Sequence, residues 1–484
     1  MYKVGFDKIK YLEKQSEKII ERINSFDKLY LELGGKIFGD THGSRVLPGF
    51  DPDIKLDLLK ELRDKTEIIF AINAVDITQN RIQGDGGVSY SVYLLDLIKK
   101  LKAQDIYVSS VAITHYSDQK PVQQLKRQLS KLGTTVYNHY TISDYPANID
   151  LIMSNDGFGK NEYIETTRPL VIVSSPGSGS GKMAICMSQV YHDFKRGIKA
   201  GYSKFEKFPV WNLPLHHPVN LAYEAATTNL MDQNMIDPFH LSKYGISAIS
   251  YNRDIEAFPV LNAMLKQIWG NSPYQSPTDM GVNMIQECIT DDEVCKEASK
   301  QEIIRRYFKL ICDEYLYGGV KHEIQKLEFL LNTAAVEAID RPTVPAARKK
   351  AQETGTSCVA IELANGKIVT GKTTSLLTPA ASALLNALKK LANISENIDL
   401  ISPSLITPIQ NLYHNYMGDS QYLLHVDDVL LALSISTVTN PTATIVLESL
   451  PKLKNSQCHS TTILDNKVVA TFSKLGITTT SEPG

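Results

Sequence analysis

The chain reads as a multidomain α/β protein: a mainly parallel sheet first, a helical middle region next and a second α/β domain last. Three observations predict this. Its 484 residues (53.9 kDa) exceed what one hydrophobic core supports, so about three domains are expected. Hydrophobic residues at 43% and charged residues at 21% are ordinary for a folded protein. Strand-like and helix-like stretches alternate through roughly the first half, the rhythm of strand-helix-strand units.

Taken in order, helical periodicity covers Tyr11 to Leu33 and Leu56 to Leu62. The apolar run from Glu67 to Ala74 is too short for a helix and predicts a buried strand. Tyr90 to Leu101 predicts a helix, Ile106 to Ile113 a strand, Gln123 to Leu132 a helix, and Ile149 to Met153 and Pro169 to Ser174 strands. From Asp254 the pattern turns helical, clearest at Val282 to Cys288, Ser299 to Tyr317 and Val320 to Thr333. The double-proline stretch Asp340 to Pro345 is a connector. Beyond it, Cys358 to Leu363, the turn Asn365-Gly366 and Lys367 to Thr370 read as a hairpin, Ala380 to Leu391 as a helix and Ala443 to Leu447 as a strand. The expected domains are residues 1–253, 254–341 and 342–484.

The strongest chemical signal is the strand Pro169 to Ser174 running into Ser175-Pro176-Gly177-Ser178-Gly179-Ser180-Gly181-Lys182 and then a helix from Met183 to about Arg196. Glycines let backbone amides close around a phosphate, and the helix N-terminus adds partial positive charge. This context makes the first domain P-loop/Rossmann-like, with Gly177, Ser178, Gly179, Ser180, Gly181 and Lys182 as the binding residues and Lys182 also a catalytic candidate. The pattern departs from the P-loop at two positions: Pro176 replaces the first glycine, and Met183 replaces the hydroxyl residue that ligates magnesium. A nucleotide with magnesium is the cofactor such a loop would take, and Met183 puts the magnesium in question while leaving phosphate capture intact. The alternative is a turn that merely packs closely, with Lys182 solvated.

Weaker candidates surround it. Gln83-Gly84-Asp85-Gly86-Gly87 would open the Tyr90 helix at the same sheet edge, or be a surface loop. Asp76 and Asp156 follow expected strands and could hold a metal or activate a nucleophile, or be ordinary caps. Proline-rich knots carry His216, Asp237 and His240, and Asp237 with His240 or His216 could form an acid and base pair, or be satisfied within loop packing. His322-Glu323 starts a zinc-protease motif, but Lys326 stands where the second histidine belongs, so no zinc is expected. The six cysteines are scattered and read as reduced.

The loop PGSGSGKMA together with GIKAGYSKFEKFPVWNLPLHHPVNLAYEAAT, NMIDPFH and SPTDMGVNM resembles a bacterial family, domain of unknown function 1846, over almost the whole chain. The resemblance implies a P-loop-like N-terminal domain, a helical middle and a separate C-terminal α/β domain. Some family members are labelled ATP-dependent zinc proteases, which Lys326 contradicts here. Residues Thr356 to Leu391 also resemble the opening of a cytidine-deaminase-like fold. The helix turn Pro379-Ala380-Ala381-Ser382 lacks that fold's zinc ligand and catalytic glutamate.

Lys plus Arg (51) against Asp plus Glu (53) gives a net charge of −2, which provides no field for a polyanion, so no nucleic-acid partner is expected. No membrane partner is expected either, because no signal-like or membrane-length apolar run occurs. The expectation is a cytoplasmic protein, free to form a homo-oligomer, that binds a small phosphorylated ligand and performs phosphoryl or nucleotidyl transfer. The alternatives are an enzyme of another class that anchors its substrate's phosphate there, with Asp237 and His240 as acid and base, or a non-catalytic regulatory protein.

Overall fold

A computed structural model describes residues 3–82, 87–205, 209–419 and 421–484. The chain forms two compact units, Val4–Lys296 and Glu297–Gly484, the latter also including Lys3.

The first unit is built on a seven-stranded sheet. Its strands are β1 (Lys28–Leu33), β2 (Thr66–Asn73), β3 (Val108–Thr114), β4 (Thr135–Asn138), β5 (Leu170–Ser174), β6 (Ala200–Phe205) and, after the hairpin strands β7 (Asn234–Ile236) and β8 (Ile249–Tyr251), β9 (Gly281–Val282). The order is β4-β3-β2-β5-β1-β6-β9, and every neighbouring pair is parallel. Parallel strands need crossover helices on both faces, which explains the near-continuous apolar runs in β2 and β5. Helices Lys8–Ile23, Ile54–Glu61, Tyr90–Lys102 and Lys120–Lys131 bury Ile19, Leu58, Leu94 and Leu125 against Leu29, Leu31, Phe70 and Ile172 on one face. Helices Lys182–Lys195 and Asn252–Trp269 bury Ile185, Met187, Phe258 and Leu261 against Tyr30, Val171, Val173 and Tyr202 on the other. Because β5 enters between β1 and β2, the chain leaves β5 toward one face and both neighbours toward the other. Ligands of open α/β sheets sit at such a reversal, at the carboxyl ends of the strands.

The second unit carries β10 (Cys358–Glu362), β11 (Ile368–Lys372), β12 (Ser456–Ser460) and β13 (Ile477–Ser481) in the order β11-β10-β12-β13. β10 is antiparallel to both neighbours, while β12 and β13 are parallel. The expected Asn365-Gly366 turn joins β10 to β11, with Gly366 at φ +80°. Helix Pro379–Leu391 presses so closely on β11 that a Cβ on Gly371 would lie 2.1 Å from the Ala383 nitrogen. Alanines at 380, 381, 383 and 387, all buried, permit that approach.

Several expected elements differ. The stretch Tyr11 to Leu33 divides into the helix ending at Ile23 and the central strand β1. Ile149 to Met153 is a helix, Ile149–Ile152, because Asn148 accepts from the Leu151 amide and caps it. The strand role there falls to β4. Ala443 to Leu447 likewise lies in helix Pro441–Leu447, capped by Asn440 with proline in the first turn. Val282 to Cys288 holds the end of β9 and a single 3-10 turn, Gln286–Cys288. Of the segment 254–341, helix Asn252–Trp269 packs on the first unit's sheet and helix Lys321–Thr333 belongs to the second unit. Among the described residues no helix is long and apolar enough to cross a membrane.

Candidate phosphate site at the carboxyl edge of the sheet

β5 ends at Ser174, and residues 175–181 turn the chain into helix Lys182–Lys195. Gly179 (φ +73°) and Gly181 (φ +82°) occupy the left-handed region, where a side chain would be strained. The Gly177 carbonyl accepts from Ser175 Oγ (2.6 Å) and Ser180 Oγ (2.7 Å), which ties the loop to itself. Thr114 at the end of β3 donates from Oγ1 to the Ser180 carbonyl (2.9 Å) and anchors it to the sheet. A Cβ on Gly177 would lie 2.3 Å from Tyr90 Cζ, so only glycine lets the Tyr90 ring close the loop's flank. No side chain caps the helix at Gly181. Among the described residues, Ser178 and Gly179 form a turn that Ser180 closes onto Gly177, and the other amides from Gly177 to Ala184 donate no hydrogen bond within the protein. Ser178 and Gly179 are exposed; Lys182 is half-buried, with Nζ 3.4 Å from Ser175 Oγ. Met183 packs on the core instead of offering a hydroxyl.

Asp76, in helix Ala74–Thr78, pairs with Arg81 (3.1 Å), whose guanidinium lies 5.6 Å from the Tyr90 ring centre. Asp76 is thereby linked to the loop's flank through Arg81 and Tyr90. Residues 83–86 of the second glycine-rich segment lie outside the described residues. Asp156 is exposed in a turn, its amide bonded to Ser154 Oγ (3.1 Å).

Asp237 and His240 are adjacent but do not form a carboxylate–imidazole pair. Asp237 Oδ1 caps helix Pro238–Tyr244 through the Phe239 and His240 amides (3.0 and 3.1 Å), and Oδ2 accepts from Thr278 N (3.2 Å) and Oγ1 (2.6 Å). The His240 ring instead meets Ser276 Oγ (2.9 Å) and Asp279 (3.6 Å). His216 and His322 are exposed. The buried histidine of that loop is His217, which caps helix Pro218–Ala226 and lies 3.0 Å from Asp292.

Sequence reasoning passed over a polar group at the same sheet edge. Tyr202 on β6 donates to Glu32 Oε2 on β1 (2.7 Å), and Lys204 is bonded to Asp254 at the start of helix Asn252–Trp269. Burial alone would depress the Lys204 ammonium, but Asp254 and Glu32 outweigh it and raise its pKa. Burial, reinforced by Glu32, raises Tyr202 and Cys186 well above their ordinary values. Charged residues inside otherwise apolar strands were the available signal, hidden because neither strand was recognised.

Residues 4–335 match the family described as domain of unknown function DUF1846, N-terminal, and residues 339–484 its C-terminal counterpart. A UPF0371 protein of Streptococcus thermophilus is 51% identical over the whole chain and 98% of its own length, and one of Streptococcus pneumoniae is 50% identical with the same coverage. With both family regions matched in sequence and relatives aligned from end to end, the chain belongs to the DUF1846 (UPF0371) family.

Proposed function

We propose that the chain binds a nucleotide or phosphorylated metabolite through Gly177 to Lys182 in a P-loop-like first domain, and that it transfers a phosphoryl or nucleotidyl group. The observation that carries this reading is the set of undonated amides from Gly181 to Ala184, held by two left-handed glycines at an uncapped helix start beside Lys182. Such amides require water or an anion, and the helix dipole favours the anion. The position at the sheet's reversal supports it further. Lys182 supplies the mobile charge, as phosphoryl transfer rests on positioning and charge stabilisation. The second unit's strand order and its single antiparallel member support a cytidine-deaminase-like topology there. Six buried cysteines, none of them in a disulfide, support a cytoplasmic location.

The test is mass spectrometry of co-purifying ligand, followed by thermal shifts with ATP, GTP and sugar phosphates, with and without magnesium. A ligand at a hundredfold excess over its Kd stabilises the fold by about 2.7 kcal/mol, a rise of roughly 3–4 °C in a protein of this size. Protein that carries no phosphorylated compound and shifts with none of them refutes the reading.

A further inference from the structure

What lies beside the loop indicates the rest of the ligand. Side chains alternate along a strand, so Glu32 shares the face of Tyr30, and Lys204 that of Tyr202, the face covered by helices Lys182–Lys195 and Asn252–Trp269. The register places Glu32 level with Val173 on one side and with Lys204 on the other. Glu32 therefore stands one strand, about 4.8 Å, from the point where β5 feeds the loop. Lys182, Glu32 and Lys204 all act electrostatically on the Cys186 thiol, so the loop's lysine and this cluster share one neighbourhood.

Two polar atoms in the cluster are unused. Tyr202 fixes Glu32 Oε2, and among the described residues nothing donates to Oε1. The Tyr145 hydroxyl is shielded from solvent and, among the described residues, has no partner. Burial first and the Glu32 charge second push that phenol up to about 12, which keeps it a neutral donor. A cluster serving only to fasten helix Asn252–Trp269 to the sheet would need just the Lys204–Asp254 pair. Leaving the shielded Tyr145 hydroxyl unmet costs about 1–3 kcal/mol, while Glu32, only half-buried, keeps Oε1 open to a ligand.

We propose that Glu32, Tyr145 and Lys204 form a subsite for the hydroxyl groups of a polyol whose phosphate ester sits in the 177–182 loop. This rests on the phosphate reading above and adds the substrate class. Hydroxyls both donate and accept, which suits a free carboxylate oxygen beside a phenol and an ammonium. A second anion would meet Glu32, a cation would meet Lys204 and Lys182, and an alkyl group would leave Oε1 and the phenol unpaired.

Calorimetric titration with inorganic phosphate, propyl phosphate, ribose 5-phosphate, glucose 6-phosphate and AMP tests it. The expectation is that at least one hydroxylated ester binds ten times or more tighter than propyl phosphate. Glu32→Gln and Tyr145→Phe should remove that advantage while leaving propyl phosphate within about twofold, and Lys182→Ala should weaken every ester. Tyr145→Phe deletes one hydroxyl and keeps the ring, so it reports even if Glu32→Gln fails to fold. Equal binding of propyl phosphate and all three hydroxylated esters overturns the polyol subsite and leaves the phosphate loop standing. A hydroxyl preference that survives both variants overturns the assignment to these residues. If no phosphate compound binds the wild-type protein, the loop reading fails and takes the subsite with it.

Discussion

Alanine at each of the two left-handed glycines separates backbone strain from packing in the loop. Gly179 and Gly181 have nearly equal φ (+73° and +82°), so an L side chain at either costs about 1–2 kcal/mol of strain. A Cβ on Gly179 meets nothing within 4 Å, whereas one on Gly181 would sit 3.0 Å from Thr114 Cγ2. Thr114 is buried and bonded through Oγ1 to the Ser180 carbonyl, so the methyl yields only by loosening that anchor. Gly181→Ala should therefore cost about 1 kcal/mol more than Gly179→Ala, the scale of mild overpacking. Thr114→Ser deletes the methyl and keeps the hydroxyl, so Thr114→Ser with Gly181→Ala should recover most of that excess as a coupling of about 1 kcal/mol. Urea denaturation of the four variants at pH 7 measures these differences directly. Equal costs for the two alanines, or strict additivity of Thr114→Ser with Gly181→Ala, would refute the view that Thr114 clamps the loop.

Other outcomes follow from the same geometry. Lys182→Ala should weaken phosphorylated ligands by about ten- to a hundredfold, a lost charge-assisted contact of about 1.5–3 kcal/mol, with little change in stability because its bond to Ser175 is long; titration and urea melts check both. Met183→Thr restores the missing hydroxyl and should raise the magnesium dependence of nucleotide binding if the loop is a drifted NTPase site; unchanged binding marks a magnesium-free ligand. Asp237→Ala strips a buried carboxylate from four donors and should destabilise by about 3 kcal/mol or more, seen as a lowered denaturation midpoint. His139 is buried, and burial, with the Glu162 carbonyl opposing and His192 adding, depresses its pKa to about 4. The unfolded chain therefore binds the extra proton below about pH 6.5, so this contribution is complete above that value and wanes as pH falls toward 4, by about 2 kcal/mol at pH 5. His139→Gln should flatten that limb of the stability–pH profile, and an unaltered slope would argue against it.

The parts of the molecule legible in the sequence were those where one signal acted alone. β5 is apolar up to Ser174, its loop is built of small residues and Lys182 opens the helix behind it, and Asn365-Gly366 marked its hairpin by turn chemistry. β1 and β6 escaped because Glu32 and Lys204 interrupt their apolar pattern near the carboxyl ends of the strands, where charge is tolerated. Helices Ile149–Ile152 and Pro441–Leu447 were mistaken for strands because their β-branched content outweighed the asparagine caps before them. Asp237 was open to a better reading, since an aspartate directly followed by proline is the ordinary start of a helix. Partners from distant segments, such as Tyr202 on Glu32, leave no local trace in a sequence.

The placement of β1 also has a cost during synthesis. Its sheet partners are β5 and β6, so Leu29 waits for Leu170 and Gly201 before either of its edges is paired. At ribosomal speeds the emerging N-terminal segment remains without those partners for roughly 10–30 s. Meanwhile β2, β3 and β4 can assemble with β2 still open toward the place that β5 will fill. Two unpaired edges of apolar strand, present together on a nascent chain, invite intermolecular pairing. Recombinant yield should therefore respond to slower translation and to holdase chaperones acting on the first 170 residues, even though the finished sheet conceals both edges of β1.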